Sequence, residues 1–255
     1  TPSGIKAAII REKGTNGERE MAYMLYLAGF DVKDVTMTDL ISGRETLEDI
    51  NMVVYCGGFS NSDVLGSAKG WAGSFLFNPK AKAALDNFYA REDTLSLGVC
   101  NGCQLMMELG LITPEDKKKG KMLHNDSHKF ESNFLGVTVP MNRSVMFGSL
   151  SGSKLGIWVA HGEGKFSLPY PEDHYNVVLK YSYDEYPGNP NGSDYSVAGI
   201  ASQDGRHLAM MPHLERACFP WENAYYPLDR KDNDQITPWM EAFVNARKWV
   251  EVHKK

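Results

Sequence analysis

The sequence predicts an α/β fold in which a mostly parallel sheet is flanked by helices on both faces, with extra strands in the second half. Two observations support this prediction. In the first half, short apolar runs alternate with segments of helical period, the order expected of parallel strands joined by helices. In the second half, strand-like runs follow one another with little helical pattern between them. A chain of 255 residues can bury one large core, so we expect a single domain over residues 1–255.

Helix boundaries in the first half are marked by capping residues. Asn16 is a candidate N-cap and Gly29 a candidate C-cap of the first helix. Asn78 followed by Pro79 predicts the start of another helix, because proline is favoured in the first helical turn. The predicted order alternates strands at 5–10, 30–35, 52–56 and 94–99 with helices at 17–28, 79–90 and 104–109.

The second half is predicted to be richer in strands. Apolar or alternating runs that are typical of strands cover residues 155–160, 177–183, 199–202 and 206–211. The last two runs flank Gln203-Asp204-Gly205, which predicts a hairpin turn. A final helix is expected to start at Thr237-Pro238.

Composition disfavours several classes of function. The formal net charge is -5, from 27 basic and 32 acidic side chains, so neither a nucleic acid nor an anionic membrane is an expected partner. No apolar stretch approaches the roughly 20 residues that span a bilayer, and the start of the chain has no secretory signal pattern. Four cysteines are too few for a disulfide scaffold, and the predicted compartment is therefore the cytoplasm.

The segment with the most specific chemical pattern is the one around Cys100. Gly98, Cys100 and Gly102 form a G-x-C-x-G pattern between a predicted strand and a predicted helix. Glycines on both sides allow a tight turn that presents the thiol at the carboxyl end of the sheet. The N-terminus of the following helix favours the thiolate form. We therefore predict that Cys100 is a nucleophile.

Cys100 also has less specific interpretations. A lone cysteine at the end of a buried strand is commonly a small apolar residue. Cys100 and Cys103 have the spacing of a redox pair or of half a zinc site. Zinc is disfavoured because Cys56 and Cys218 stand alone, whereas the redox pair stays open as an alternative.

A base and its orienting group are predicted further along the chain. A thiolate nucleophile needs a proton acceptor that later acts as an acid, and a third group that holds this residue in place. Met210-Met211-Pro212-His213-Leu214-Glu215 supplies both. In an extended segment His213 and Glu215 would project to the same side, because strand side chains alternate. A lone H-x-E pattern is weak, and its position downstream of the cysteine turn strengthens it.

A glycine pair predicts a further part of the same site. The strand at 52–56 runs directly into Gly57-Gly58, where backbone N–H groups can approach a substrate. The N–H of Gly58 and the N–H of Asn101 could together form an oxyanion hole. An ordinary turn is the alternative for an isolated glycine pair. The pair is not a phosphate loop, because the chain has no G-x-x-x-x-G-K-[ST] pattern.

Together these features resemble the triad-type glutamine amidotransferases over nearly the whole chain. The resemblance is most specific to the glutaminase domain of phosphoribosylformylglycinamidine synthase, also called formylglycinamide ribonucleotide amidotransferase, in its large single-chain form. The segments that carry it are residues 11–16, 56–60, 98–104, 160–164, 189–193 and 212–216. It implies a flavodoxin-like class I amidotransferase fold. It also implies that this chain is the C-terminal part of a longer polypeptide, in agreement with a start at Thr1-Pro2-Ser3-Gly4 instead of methionine, although simple processing would look the same.

The resemblance also assigns roles to residues. Cys100 would be the nucleophile, His213 the acid and base, and Glu215 its orienting carboxylate. The oxyanion would be held by the backbone N–H groups of Gly58 and Asn101. Glutamine would be bound with the help of Gln104, His161, Gly162 and Glu163. Leu214 stands where the family commonly has proline, which would relax the turn between His213 and Glu215. His161 could compete as the base, with only Glu163 as a possible supporting carboxylate.

The implied function is the hydrolysis of glutamine to glutamate and ammonia through a cysteine thioester. The ammonia would pass to an ATP-dependent synthetase that converts formylglycinamide ribonucleotide to formylglycinamidine ribonucleotide in purine biosynthesis. No metal or cofactor is expected in this chain, since ATP and magnesium would bind the synthetase. A γ-glutamyl hydrolase or a cysteine peptidase is the main alternative. A non-enzymatic regulatory module is another, although such a module would be expected to have lost Cys100 or His213.

Overall fold

A computed structural model describes residues 1–255. Its strands are β1 (Lys6–Arg11), β2 (Thr15–Asn16), β3 (Asp31–Thr36), β4 (Met52–Tyr55), β5 (Gly57–Gly58), β6 (Leu95–Val99), β7 (Lys121–Leu123), β8 (Glu131–Thr138), β9 (Lys154–His161), β10 (Lys165–Ser167), β11 (Asn176–Tyr181), β12 (Val197–Ala201) and β13 (His207–Met210). Its helices are α1 (Glu18–Ala28), α2 (Met37–Ser42), α3 (Lys69–Leu76), α4 (Pro79–Ala90), α5 (Asn101–Glu108), α6 (Leu228–Lys231) and α7 (Trp239–His253).

Nine of the strands form one mixed sheet, in the order β3-β1-β4-β6-β13-β12-β11-β8-β9. The first five are parallel to one another. The remaining four are joined to them and to each other by antiparallel pairing. The sheet therefore has the parallel first half and the additional strands that the sequence predicts.

Both faces of the parallel part are covered. All four residues of β4 and all five of β6 are buried, and successive strand residues point to opposite faces. α1 packs against α7, whereas α2, α3, α4 and α5 form a second group of contacting helices. This arrangement confirms the predicted α/β class. No helix in the structure is both long enough and apolar enough to cross a bilayer.

Gly29 ends α1 as predicted, with a left-handed φ of 99°, whereas the predicted N-cap side chains make other contacts. α1 begins after Gly17, whose φ of 83° is left-handed, and no side chain caps it. The Asn16 side chain instead accepts a hydrogen bond from Arg216. Asn78 does precede α4, but its amide donates to the Ser74 carbonyl and leaves the N-terminus of α4 uncapped. A tertiary contact thus engages Asn16, and a local contact with the end of α3 engages Asn78, so neither side chain caps a helix N-terminus.

Several elements were not predicted from the sequence. α2, α3 and the eight-residue strand β8 lie in segments without a clear period, and β8 is only partly buried. The predicted hairpin is confirmed, since Gly199 pairs with Met210 and the Gly205 N–H closes the turn on the Ser202 carbonyl. This hairpin places β13 beside β6 in parallel register, so that residues following the two strands meet at one edge.

Candidate active site

Three adjacent parallel strands end at the same edge of the sheet. β4 runs into Gly57-Gly58, β6 into Cys100, and β13 into the segment that holds His213. The carboxyl ends of parallel strands are where open α/β sheets bind ligands. The topology therefore brings together three segments that are far apart in sequence.

Cys100 sits on a strained turn between β6 and α5. Its backbone has φ 54° and ψ −107°, an unusual conformation for a residue with a side chain. Its N–H donates to the Met210 carbonyl at 2.9 Å, which ties the turn to β13. Gly102 allows the close approach of α5 to β4, because a Cβ there would lie 2.0 Å from the Tyr55 carbonyl oxygen. The thiol is 5% exposed and lies 3.4 Å from the Ala160 carbonyl oxygen.

His213 and Glu215 meet through a turn and not, as predicted, through an extended segment. β13 ends at Met210, and residues Leu214–Arg216 form a 3₁₀ turn. The turn brings His213 Nδ1 to 2.6 Å from Glu215 Oε1. The His213 N–H also donates to the Trp158 carbonyl of β9 at 2.9 Å. With Leu214 fully buried at the start of this turn, the pair forms without proline at that position.

The imidazole of His213 is placed to carry a proton. Burial lowers its pKa, but the charge on Glu215 and the hydrogen bond with Cys100 outweigh burial and raise the pKa above its ordinary value. The ring lies close to the nucleophile, since a Cβ on Gly57 would be 2.9 Å from His213 Cε1 and 3.4 Å from Cys100 Cβ. A protonated imidazole beside the sulfur favours the thiolate.

The N–H of Gly58 faces away from its neighbouring strand. β5 pairs with β2 in antiparallel fashion, with Thr15 opposite Gly58, and the Phe59 N–H donates to the Gly14 carbonyl. Hydrogen-bonded and non-bonded pairs alternate along such a ladder, so the Gly58 N–H is left free of β2. Gly58 has φ 109°, and a Cβ would lie 2.6 Å from the Gly14 oxygen. Only glycine fits this position without strain.

A cavity of about 180 Å³ adjoins the thiol. Its lining contains most of the residues predicted to hold substrate, namely Gly58, Gln104, His161, Gly162 and Glu163, and also Phe59, Asp63, Ser67, His124, Phe130 and Ala160. The rings of Phe59 and Phe130 are 6.0 Å apart and half exposed, and they lie at its rim. A second cavity of about 140 Å³ reaches Cys100 from the side of Asn16, His213 and Arg216.

Asp63 is the main lining residue that sequence reasoning missed. Its Oδ1 atom is buried and has no hydrogen-bond partner. Burial raises the pKa of this carboxyl, and the charge of Glu163 across the cavity raises it further. Asn61, Ser62 and Asp63 all have positive φ, a conformation that asparagine and aspartate adopt more often than other non-glycine residues. That preference was the available sequence signal for an unusual turn here.

His161 is less suited than His213 to act as the base. It is buried, and burial lowers its pKa to about 4. Its Nε2 atom lies 3.4 Å from the Asn191 amide, and its Nδ1 atom has no partner. The Glu163 carboxylate accepts the Ser67 N–H at 3.2 Å, and its other oxygen lies 3.9 Å from His124 Nε2. The arrangement thus keeps His161 neutral at the cavity wall.

The remaining cysteines do not support the redox or zinc interpretations. All four cysteines are free. Cys103 is completely buried in α5, and burial raises its pKa well above the ordinary value. Burial likewise raises the pKa of Cys56 to about 12. No group of three or more histidine, cysteine or acidic side chains is placed to hold a metal ion.

A cysteine elbow at the edge of a flavodoxin-like sheet is the arrangement of the class I glutamine amidotransferases. The chain belongs to the family of CobB/CobQ-like glutamine amidotransferase domains, whose model matches residues 4–250. Membership of this family favours the amidotransferase interpretation over the γ-glutamyl hydrolase and peptidase alternatives.

Named relatives extend the comparison. The chain is 44% identical over 96% of its length to the probable phosphoribosylformylglycinamidine synthase, chloroplastic/mitochondrial, of Arabidopsis thaliana. It is also 44% identical over 96% of its length to the phosphoribosylformylglycinamidine synthase of Homo sapiens. The matched regions are 19% and 20% of those two proteins. The chain therefore spans about a fifth of the length of the curated relatives that it matches.

Solved structures share the fold. A chain in the structure of PurLQS from Thermotoga maritima superposes with a TM-score of 0.69 at 26% identity, covering 98% of this chain and 99% of that one. The crystal structure of a glutamine amidotransferase from Thermotoga maritima gives a TM-score of 0.56 at 16% identity, with 97% and 99% coverage. The second likeness is one of fold alone.

Proposed function

We propose that this domain hydrolyses glutamine to glutamate and ammonia and supplies the ammonia to a phosphoribosylformylglycinamidine synthase. The observation that carries the proposal is the convergence of Cys100, His213 and Glu215 beside a cavity of amino-acid size. A nucleophile, a base and an orienting carboxylate in this order are the parts that acyl transfer requires. Membership of an amidotransferase family supports glutamine as the substrate.

The first half of the reaction forms a thioester. The Cys100 thiolate attacks the side-chain amide carbon of glutamine, a C–S bond forms, and the carbonyl electrons move onto oxygen. The N–H groups of Gly58 and Asn101 hold this oxyanion. His213 gives its proton to the amide nitrogen, the C–N bond breaks, and ammonia leaves a γ-glutamyl thioester.

The second half restores the enzyme. His213, now neutral, removes a proton from water as the water oxygen attacks the thioester carbon. The oxyanion forms again and collapses, the C–S bond breaks, and glutamate leaves the regenerated thiolate beside the protonated His213. Glu215 keeps Nδ1 of the ring engaged at 2.6 Å throughout, so that the other nitrogen serves both transfers.

Glutamine would be oriented by charge at the far end of the cavity. Asp63 and Glu163 line the same cavity, and the charge of Glu163 adds to burial in raising the pKa of Asp63. An ammonium group placed between them would relieve this repulsion and satisfy the unpartnered Asp63 Oδ1. The α-ammonium group of glutamine is the natural occupant, with the side-chain amide directed toward Cys100.

Asp63→Asn is expected to lower kcat/KM for glutamine by roughly 10- to 100-fold, chiefly through KM, because the negative charge that pairs with the ammonium group is lost and one acceptor oxygen becomes an NH₂ donor. The measurement compares glutamine with 4-carbamoylbutanoate, which lacks the α-ammonium group. Wild type and variant should hydrolyse this second substrate at similar rates. An equal loss on both substrates would show that Asp63 does not bind the ammonium group.

The synthetase partner is inferred from the relatives. Proteins named phosphoribosylformylglycinamidine synthase are about five times as long as the part matched by this chain, so the ATP-dependent step and its magnesium ion would belong to the remaining polypeptide. We propose that residues 1–255 form the C-terminal glutaminase domain of such an enzyme. The cytoplasm stays the predicted compartment, although the name of the Arabidopsis relative places that protein in chloroplasts or mitochondria.

Covalent labelling with a glutamine-mimicking diazoketone, read by mass spectrometry, tests the proposed function. Wild type should gain one adduct on Cys100, and excess glutamine should prevent it. Cys100→Ala should gain none, whereas Cys103→Ala should be labelled like wild type. An adduct on Cys103, or labelling that glutamine does not suppress, would contradict the proposal and favour the hydrolase alternative.

A further inference from the structure

We infer that the side chain of Asn101 is a positioning residue that holds the two oxyanion donors at their working separation. The inference rests on the proposed function and extends it, because only the backbone N–H of Asn101 has a part in the mechanism above. One donor, the Asn101 N–H, belongs to the cysteine elbow. The other, the Gly58 N–H, belongs to the segment after β4. Because the two donors are carried by separate loops, a contact between these loops is needed to fix the distance between the donors.

The contacts of Asn101 suit this task. Its side chain is completely buried. Oδ1 accepts the Ser60 N–H at 2.9 Å, and Nδ2 donates to Gln104 Oε1 at 3.0 Å. The opposite orientation of the amide would set a donor against the Ser60 N–H and an acceptor against the Gln104 oxygen. Both ends therefore specify the same orientation.

The bond to Ser60 links the two halves of the oxyanion hole. Ser60 lies two residues after Gly58, and its N–H is bonded to Asn101, the residue that follows Cys100 in the elbow. No other side-chain hydrogen bond connects residues 57–60 with residues 99–104. The segment 57–60 is followed directly by three consecutive residues with left-handed backbones, Asn61 to Asp63. Such a conformation persists only when neighbouring contacts impose it.

The bond to Gln104 reaches a third wall of the cavity. Because Asn101 Nδ2 engages Gln104 Oε1, the other end of the Gln104 amide is directed outward, and its Nε2 donates to the Glu163 carbonyl at 2.9 Å. One buried amide thus orders the oxyanion segment, the elbow helix and the wall that contains His161 and Glu163. Each of these elements comes from a different part of the sequence.

Two substitutions separate these contacts. Asn101→Leu keeps the same branched skeleton of four side-chain heavy atoms and removes both hydrogen bonds. Asn101→Asp keeps an acceptor for the Ser60 N–H but sets a carboxylate oxygen against Gln104 Oε1, so that Gln104 must turn away from the Glu163 carbonyl. Oxyanion donors act only at close and well-aligned distances, and losing one typically costs roughly 10²- to 10³-fold in kcat.

The experiment measures two reactions of the same sulfur on each variant. Glutamine hydrolysis passes through an oxyanion, whereas alkylation of Cys100 by iodoacetamide displaces iodide without forming one. For Asn101→Leu we expect kcat to fall by about 100-fold, while the alkylation rate constant stays within about threefold of wild type. KM should rise as well, because Gln104 loses the contact that orders it against the Glu163 carbonyl. Asn101→Asp sets a buried carboxylate beside the sulfur and disfavours the thiolate, so alkylation should slow. Its kcat should fall by more than its alkylation rate, by an extra factor smaller than that of Asn101→Leu.

Asn176 offers a matched control. It is also buried, its Oδ1 accepts the Arg143 N–H at 3.2 Å, and its Nδ2 donates to the Ser202 carbonyl at 3.1 Å. Asn176→Leu and Asn176→Asp should therefore carry the same structural cost without the selective loss of kcat.

The outcomes distinguish the inference from the proposed function. An equal fall in hydrolysis and alkylation would mean that Asn101 maintains the thiolate or the elbow as a whole, and would overturn the inference. Unchanged kcat in both Asn101 variants would overturn it as well. A wild-type protein that neither hydrolyses glutamine nor takes up the diazoketone would overturn the proposed function, and the inference with it. If Asn101→Leu does not fold, Asn101→Asp decides the question by the same ratio of the two rates.

Discussion

Removing either Cys100 or His213 is expected to lower kcat for glutamine hydrolysis by roughly 10⁴- to 10⁶-fold. Cys100→Ala removes the atom that forms the thioester. His213→Gln removes the proton that the leaving ammonia needs, together with the positive charge that stabilises the thiolate. Because both residues serve one covalent step, the double variant should be about as slow as either single one. Steady-state release of glutamate is the measurement.

Glu215→Gln should have a smaller effect, since it leaves the nucleophile and the imidazole in place. It removes only the charge that orients the ring and raises the pKa of His213. Cys103→Ala is the control, because Cys103 is a buried thiol one helical turn from the nucleophile and takes no part in the chemistry. Losses that multiplied in the Cys100 and His213 double variant would show that the two residues act in separate steps, against the proposed mechanism.

Gly102→Ala is expected to damage both stability and activity. The added Cβ would lie 2.0 Å from the Tyr55 carbonyl oxygen and 2.6 Å from its carbonyl carbon, and both are backbone atoms of the strand that pairs with β6. The strain must move α5, and overpacking of this kind costs about 1–3 kcal/mol or more of the free energy of unfolding. A shift of about 1 Å at the elbow lowers kcat by roughly 100-fold.

Urea unfolding and glutaminase kinetics on the same preparation test this expectation. Gly73→Ala in α3 is the matched control, because its Cβ would meet only the Phe77 ring at 3.6 Å, an ordinary contact. Alanine inside a helix stabilises by about 0.5–1 kcal/mol relative to glycine. If Gly102→Ala unfolded at the same urea concentration as wild type with full activity, the elbow would not depend on this close approach.

The α/β class could be predicted because it rests on periodicity along the chain. The apolar runs that become β1, β4 and β6 are read from consecutive residues, and burial of every residue in β4 and β6 is what an uninterrupted apolar run signals. The position of Cys100 was likewise predictable, since glycines at 98 and 102 are a local requirement of the turn. Helix N-caps were less predictable, because Asn16 bonds to Arg216, 200 residues away, and Asn78 bonds back to Ser74 at the end of α3.

In the candidate site, too, the features set by local sequence were predictable and those set by contacts between distant segments were not. The fold class, the elbow that holds Cys100, and the nearness of His213 to Glu215 follow from the sequence, since each depends on residues a few positions apart. The 3₁₀ turn through which His213 and Glu215 meet, the shared cavity of Asp63 and Glu163, and the bridge from Asn101 to Ser60 and Gln104 appear only in the folded chain. These contacts depend on which strands lie side by side and on backbone shapes that neighbours impose, and neither is encoded in the local order of residue types.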